Sequence, residues 1–242
     1  MHVKILDERV VERAKARGLD AIVYAPHFTR LPSIEAKADA FSDDDLLVIP
    51  AREIFTGSWR DRKHVLAVGL SKPVPDFVTL DGAMCELDRQ GAAALAPHPE
   101  FLNVSLSAAD LERYDVRAVE VYNPKHWDFH NERAREIARH AGLPGFGSSY
   151  AHLRGSIGEA WTTFEEPIES AADLAARLRS GASMRVFHRD GFEHNLRRAL
   201  EFAHLGYENT WGKVDRILLS ATEPTHPGHV AYEGRFDDVR VY

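Results

Sequence analysis

Ala92-Ala93-Ala94-Leu95-Ala96-Pro97-His98-Pro99-Glu100 is a short apolar run, of the kind that forms a fully buried strand, and it stops at a histidine held between two prolines. Proline cannot continue a central strand and pushes the residue before it toward extended geometry. The sequence therefore places His98 on a stiff, extended strand-to-loop exit. The pattern recurs. Ala21-Ile22-Val23-Tyr24-Ala25 is closed by Pro26-His27, Leu46-Leu47-Val48-Ile49-Pro50 leads to Ala51-Arg52-Glu53, and His64 opens Val65-Leu66-Ala67-Val68-Gly69. Histidine and glutamate at the ends of several strands make the sequence pattern of a metal-centred barrel site.

Outward from these strands, the chain alternates strands with helices. Asp7 to Arg17 reads as an exposed helix stopped by Gly18, and further helices are expected near Ile34 to Ala40, Leu80 to Gln90, Ala108 to Arg113, Asn131 to His140 and Ala171 to Arg179. Strands are expected at Ala118 to Tyr122, Gly145 to Ser149 and Glu159 to Phe164, and Gly57 to Arg62 reads as a hairpin-like loop. Alternation at these intervals predicts an α/β fold with a parallel sheet and helices outside it. About seven strands, with polar groups at nearly every strand end, favour closure into a distorted (β/α)7 TIM-like barrel over an open sheet, which concentrates its site at one switch point. The barrel is expected over residues 1–181. From Ala182 to Tyr242 the pattern changes to a helical and loop-like appendage, with helical spacing from Phe192 to Leu219, breaks at Gly206 and Gly212, and a tail Glu223-Pro224-Thr225-His226-Pro227-Gly228-His229.

At 242 residues, 44% hydrophobic and 28% charged, the chain has the composition of a folded protein with a sizeable core. The net charge of −7 argues against broad nucleic-acid binding. No apolar run is long enough to span a bilayer. The single cysteine, Cys85, excludes an internal disulfide framework and points to a reducing, cytoplasmic setting. Thirteen histidines stand out, because imidazole is the usual neutral metal ligand and near-neutral acid or base.

With these residues in order, the chain resembles the PHP (polymerase and histidinol phosphatase) superfamily of metal-dependent phosphoesterases. The family pattern is an opening Asp-x-His-x-His, then Asp-His, Glu, His, His-Pro and a closing Gly-Ser-Asp-Ala-His. His27 resembles the histidine of the second motif, Glu53 the bridging glutamate, His64 the next histidine and His98-Pro99 the His-Pro motif. Gly147-Ser148-Ser149-Tyr150-Ala151-His152 resembles the closing motif, and His2 fits the second histidine of the opening one. The resemblance implies metal ligands His2, His27, Glu53, His64, His98 and His152, with Glu53, His98 and His152 as catalytic groups. It implies a small phosphorylated metabolite or nucleotide as substrate.

The departures are specific. Pro26 and Tyr150 stand where the family has aspartates. A carboxylate neutralises and bridges divalent cations, whereas a phenol does so poorly unless it is deprotonated. The resemblance therefore implies fewer than three Zn, Mn or Fe ions, among which the ligand types do not choose. The alternative is a metal-poor barrel that binds a ligand or partner without hydrolysis. Only Met1 precedes His2, so the family's first strand and first histidine are expected upstream of this start. Arg30, Arg52 and Arg154 are candidate phosphate clamps, since guanidinium binds phosphate oxygens in a fork, and Asn123 is a candidate substrate contact at a strand end. A histidine beside proline can equally be a hydrogen-bonded loop residue, and Glu53 can equally pair with Arg52 or Arg62. Oligomeric state is left open.

Overall fold

The computed structural model describes residues 2–58, 60–99, 104–207 and 225–242. Seven strands form one curled sheet in sequence order: β1 (His2–Val3), β2 (Ala21–Tyr24), β3 (Leu47–Thr56), β4 (Lys63–Val68), β5 (Ala93–Ala96), β6 (Val116–Tyr122) and β7 (Gly145–Gly147). The pairs β1–β2, β2–β3, β5–β6 and β6–β7 are parallel. The sheet curls until its edges meet, through a parallel bridge between Val3 and Ala151 and a hydrogen bond from the Lys4 N–H to the Ala151 carbonyl at 3.0 Å.

The expected all-parallel order fails at one place. β4 runs antiparallel to both β3 and β5, because the Gly57 to Arg62 hairpin reverses the chain where a helical crossover would keep it parallel. A second difference concerns the strand expected at Glu159 to Phe164. As β8 (Ala160–Phe164) it stays outside the curled sheet and pairs antiparallel with β9 (Met184–His188). The expected boundary between Gly181 and Ala182 thus falls between two strands of one ladder. The seventh strand of the curled sheet is instead β1 (His2–Val3), with β2 on one side and Ala151 on the other.

Helices α1 (Glu8–Ala16), α2 (Leu31–Phe41), α3 (Leu80–Arg89), α4 (Ala108–Arg113), α5 (Asp128–Ala141) and α6 (Ala171–Arg179) follow their sequence signals closely. Asp7, Thr79, Ser107 and Ser170 accept N-cap hydrogen bonds, and Gly142 ends α5 with φ +65°. Helix α7 (Phe192–Tyr207) runs through Gly206 without the expected break. The helical pattern beyond Tyr207 to Leu219, Gly212, and Glu223-Pro224 lie outside the described residues, as do Met1 and Trp59.

Strand alternation divides the core. Val23, Ile49, Ala51, Leu66, Val68, Ala93, Leu95, Ala118 and Phe146 fill the inside of the curl, and Leu174, Ala175 and Leu178 of α6 pack against them. Ile54, Val65, Ala67, Ala94 and Ala96 face outward onto Met84 and Leu87 of α3 and the C-terminal Tyr232 and Phe236. The same alternation puts Arg52 on the outer face and Glu53 on the inner one. Arg52 is fully buried, with Nη2 3.0 Å from Asp76 Oδ2, and Asp76 also accepts the Phe55 N–H at 2.9 Å. Removing one member of a buried ion pair strands the other charge. Asp76→Ala should therefore cost about 3–5 kcal/mol in equilibrium denaturation while leaving inner-face metal binding unchanged. A cost below about 1 kcal/mol would show that the pair does not hold this outer layer together.

Candidate metal centre

Glu53 is the point on which the inner face converges. It lies near the middle of β3, wholly buried, and five side chains from four other strands or strand ends reach its carboxylate. Oε1 is 2.9 Å from His64 Nδ1 and 3.0 Å from His98 Nε2. Oε2 is 3.4 Å from His27 Nε2, 3.5 Å from His2 Nε2, and directly hydrogen-bonded by the Lys4 ammonium, which also donates to the Ala25 carbonyl at 2.7 Å. His64 and His98 are themselves 3.2 Å apart.

Local geometry explains each arrival. His64 stands opposite Phe55 in the β3–β4 ladder, two places from Glu53 and on its side of the sheet. His2 and Lys4 are two apart and share the inner face, while Val3 between them packs outward with Val10 and Ile22. His98 corrects its expected backbone. Counting inward positions from Ala93 and Leu95 would turn Pro97 inward and His98 outward. His98 instead adopts φ +35°, in the left-handed region rather than the extended one, and its ring comes to Glu53. Its N–H is held by Glu120 Oε2 at 2.6 Å. Phe28, Phe77 and Tyr150 also have positive φ, at 51°, 60° and 43°. Two of these lie within two residues of His27 and His152, a clustering of backbone strain that accompanies functional sites.

Protonation follows from burial. It lowers His27 to about 3 and His64 to about 4 and takes His2 well below its usual value, so these imidazoles are neutral at pH 7. Burial opposes ionisation of Glu53, but the Lys4 ammonium and hydrogen bonds from His27, His64 and His98 outweigh it and hold the carboxyl well below the ordinary range. Burial also lowers Lys4 to about 8. Neutral imidazoles beside an ionised carboxylate are the forms a metal requires. Glu53, His64 and His98 each offer a ligand atom, all within 4.8 Å of one another, so they can hold one ion. Both His2 ring nitrogens and His64 Nε2 are buried without a hydrogen-bond partner among the described residues, which also fits a site built for a cation.

The remaining candidates separate. His152 lies at the same mouth, its ring 5.8 Å from that of His27 and 5.0 Å from that of Tyr150. Its Nδ1 meets the Lys125 ammonium, and its N–H donates to Glu201 of α7 at 3.1 Å. Asn123 is buried and donates to Glu120 Oε2 at 3.0 Å, so it supports the carboxylate that holds His98. Arg30 caps α2, three residues beyond His27, and is partly exposed. Two clamps are placed elsewhere. Arg52 faces away from Glu53 and is engaged by Asp76 and the Thr29 carbonyl. Arg154 lies on the surface and pairs with Asp7 at 2.7 Å at the start of α1. The pleat removes the first, and the second is held at a helix N-terminus.

Sequence reasoning missed Lys4, Lys125 and Glu201. Lys4 carried a signal in the alternation His2-Val3-Lys4, whereas Lys125 and Glu201 meet only through tertiary packing, Nζ to Oε2 at 3.1 Å. Glu120 is buried, and burial raises its carboxyl to about 7 from an ordinary 4.5. A folded-state value above the unfolded one means that the folded protein binds the proton more tightly. The associated stability is present below about 4.5 and is lost as pH rises through 7. The lowered histidines gain stability over part of the same range, so the Glu120 component is read as a difference: the advantage of metal-free wild type over Glu120→Gln in denaturant resistance should shrink as pH rises from 5 to 8. A difference that stays constant with pH would remove Glu120 as the titrating group.

A family model described as PHP-associated matches residues 128–183. No curated protein matches the chain. Among solved structures, PsfC from Pseudomonas syringae PB-5123 superposes with a TM-score of 0.63 at 19% identity, covering 87% of this chain and 97% of PsfC. A protein from Bifidobacterium adolescentis ATCC 15703, provisionally named a metal-dependent phosphoesterase, gives a TM-score of 0.52 at 14% identity, covering 75% of this chain and 95% of its own.

Proposed function

We propose that the chain is a PHP-superfamily protein and a metal-dependent phosphoesterase acting on a small phosphorylated metabolite or nucleotide. The observation that carries this reading is the buried Glu53–His64–His98 cluster at the mouth of the curled sheet. In this reading the fold is a distorted (β/α)7 barrel of the PHP type, and the chain works in the cytoplasm.

Glu53, His64 and His98 would hold the divalent cation. Such an ion supplies Lewis acidity, acidifying water at neutral pH and offsetting charge on a phosphoryl group. The protein's own part is orientation and electrostatics. Glu120, through the His98 N–H, and Asn123, through Glu120, keep the His98 ring turned inward. Lys125 stands over the Tyr150 ring at 4.6 Å, beside His152, and would bring positive charge to a phosphate at this mouth. His152, held by Tyr150 and Glu201, lines the side facing His27. No protein nucleophile is required, because water is the attacking group.

A second reading, a barrel that binds a phosphorylated ligand without hydrolysis, is favoured by Lys4 on Glu53 Oε2 and by Pro26 and Tyr150 where the resemblance places aspartates. Purified protein supplied with Mn or Zn should release inorganic phosphate from one or more members of a panel of sugar phosphates and nucleotides. Chelation should abolish the release. His98→Ala should lower metal affinity about tenfold or more and activity with it, while the fold persists by circular dichroism. Full metal loading with no release from any member of the panel would leave the binding reading in place.

A further inference from the structure

The two oxygens of Glu53 face different partners. Oε1 faces His64 and His98, at 2.9 and 3.0 Å. Oε2 faces His27 and His2, at 3.4 and 3.5 Å. Each side therefore has the same donors, one carboxylate oxygen and two imidazole nitrogens. The sides differ in one respect. On Oε2 a cation is already part of the chain: the Lys4 ammonium binds Oε2 and the Ala25 carbonyl, two oxygens of the kind a metal ion would also recruit.

Lys4 is only 7% exposed, its ammonium lies 5.2 Å from the centroid of the Tyr150 ring, and it has its backbone N–H tied to Ala151 where the sheet closes. It belongs to the barrel wall and cannot swing into solvent without opening the site. A divalent ion on Oε2 would have to lie beside this ammonium in a buried setting, where repulsion between like charges is strong. The buried carboxylate in turn needs a counter-charge, and Lys4 supplies it whether or not an ion is bound on the other oxygen.

We propose that Lys4 is a resident cation standing in the place of a second metal ion, so that the site takes a single divalent ion, on Glu53 Oε1 with His64 and His98. Lys4 then offers a fixed positive charge to the phosphate beside that ion. The inference rests on the metal-dependent reading above and specifies how many ions that reading employs.

The experiment is metal counting on stripped and reloaded protein. Wild type, Lys4→Met and Lys4→His are titrated with Zn or Mn, and bound metal is measured by elemental analysis and calorimetry, with folding checked by thermal melting. Wild type should bind one ion per chain. Lys4→Met removes the ammonium and should admit a second ion, and Lys4→His should bind it more tightly. Adding His2→Ala to Lys4→Met should return the count to one. Two ions in wild type, or one ion in both folded Lys4 variants, would overturn the proposal while leaving the metal-dependent reading intact. No ion in wild type would overturn both. Should the variants fail to fold, anomalous scattering from metal-soaked wild-type crystals decides: a peak against Oε1 alone supports the proposal, and a second peak against Oε2 refutes it.

Discussion

A carboxylate with no access to water cannot remain charged without compensation, and Glu53 is charged and wholly buried. Much of the barrel mouth can be understood as the answer to that constraint. β1 brings His2 and leads directly into Lys4, β2 leads to His27, β4 carries His64 as its second residue, and β5 leads to His98. The strands could be joined in other ways and still bury their apolar faces. Only a sheet curled far enough to bring Val3 against Ala151 places β1 and β5 around one carboxylate of β3.

The reversal of β4 belongs to the same arrangement. A parallel strand after Glu53 would need a crossover helix and would present the opposite end of its sequence at the mouth. The hairpin lets β4 start where β3 ends, so its first residues, His64 among them, stand at the level of Glu53 and Phe55. The aromatic rings of Phe28 and Phe55 then pack beside the imidazoles, with Phe77 stacked behind Phe28, His64 and Phe55 centroids 3.9 Å apart and Phe28 and Phe55 4.7 Å apart. This apolar wall adds to the burial that lowers His27 and His64. Low pKa and metal competence thus have one cause.

The C-terminal segment is also tied to the site. Glu201 of α7 accepts N–H groups from His152 and Leu153 and pairs with Lys125, while His194 of the same helix joins Tyr122 to Glu159, at 3.0 and 2.7 Å. β9 completes a ladder with β8, and residues 225–242 return along the outer face, where Thr79 and Val241 exchange backbone hydrogen bonds with Val239 and Phe77. A region that reads in sequence as an appendage therefore holds one wall of the mouth.

Apolar runs closed by Pro-His, histidine and glutamate at strand ends, and most helices were legible in the sequence, because burial period, proline and caps are local signals. The full set of six ligand candidates and the departures at Pro26 and Tyr150 came from the family resemblance, not from those signals. Tertiary structure alone decided which of them meet. It turned Arg52 outward by the pleat of β3, turned His98 inward through a left-handed backbone against its local expectation, reversed β4, and brought Lys4, Lys125 and Glu201 to the mouth. The physical reason is that a buried charge is satisfied in three dimensions. Residues far apart in the chain complete its shell, and no periodicity along the chain records which of them will arrive.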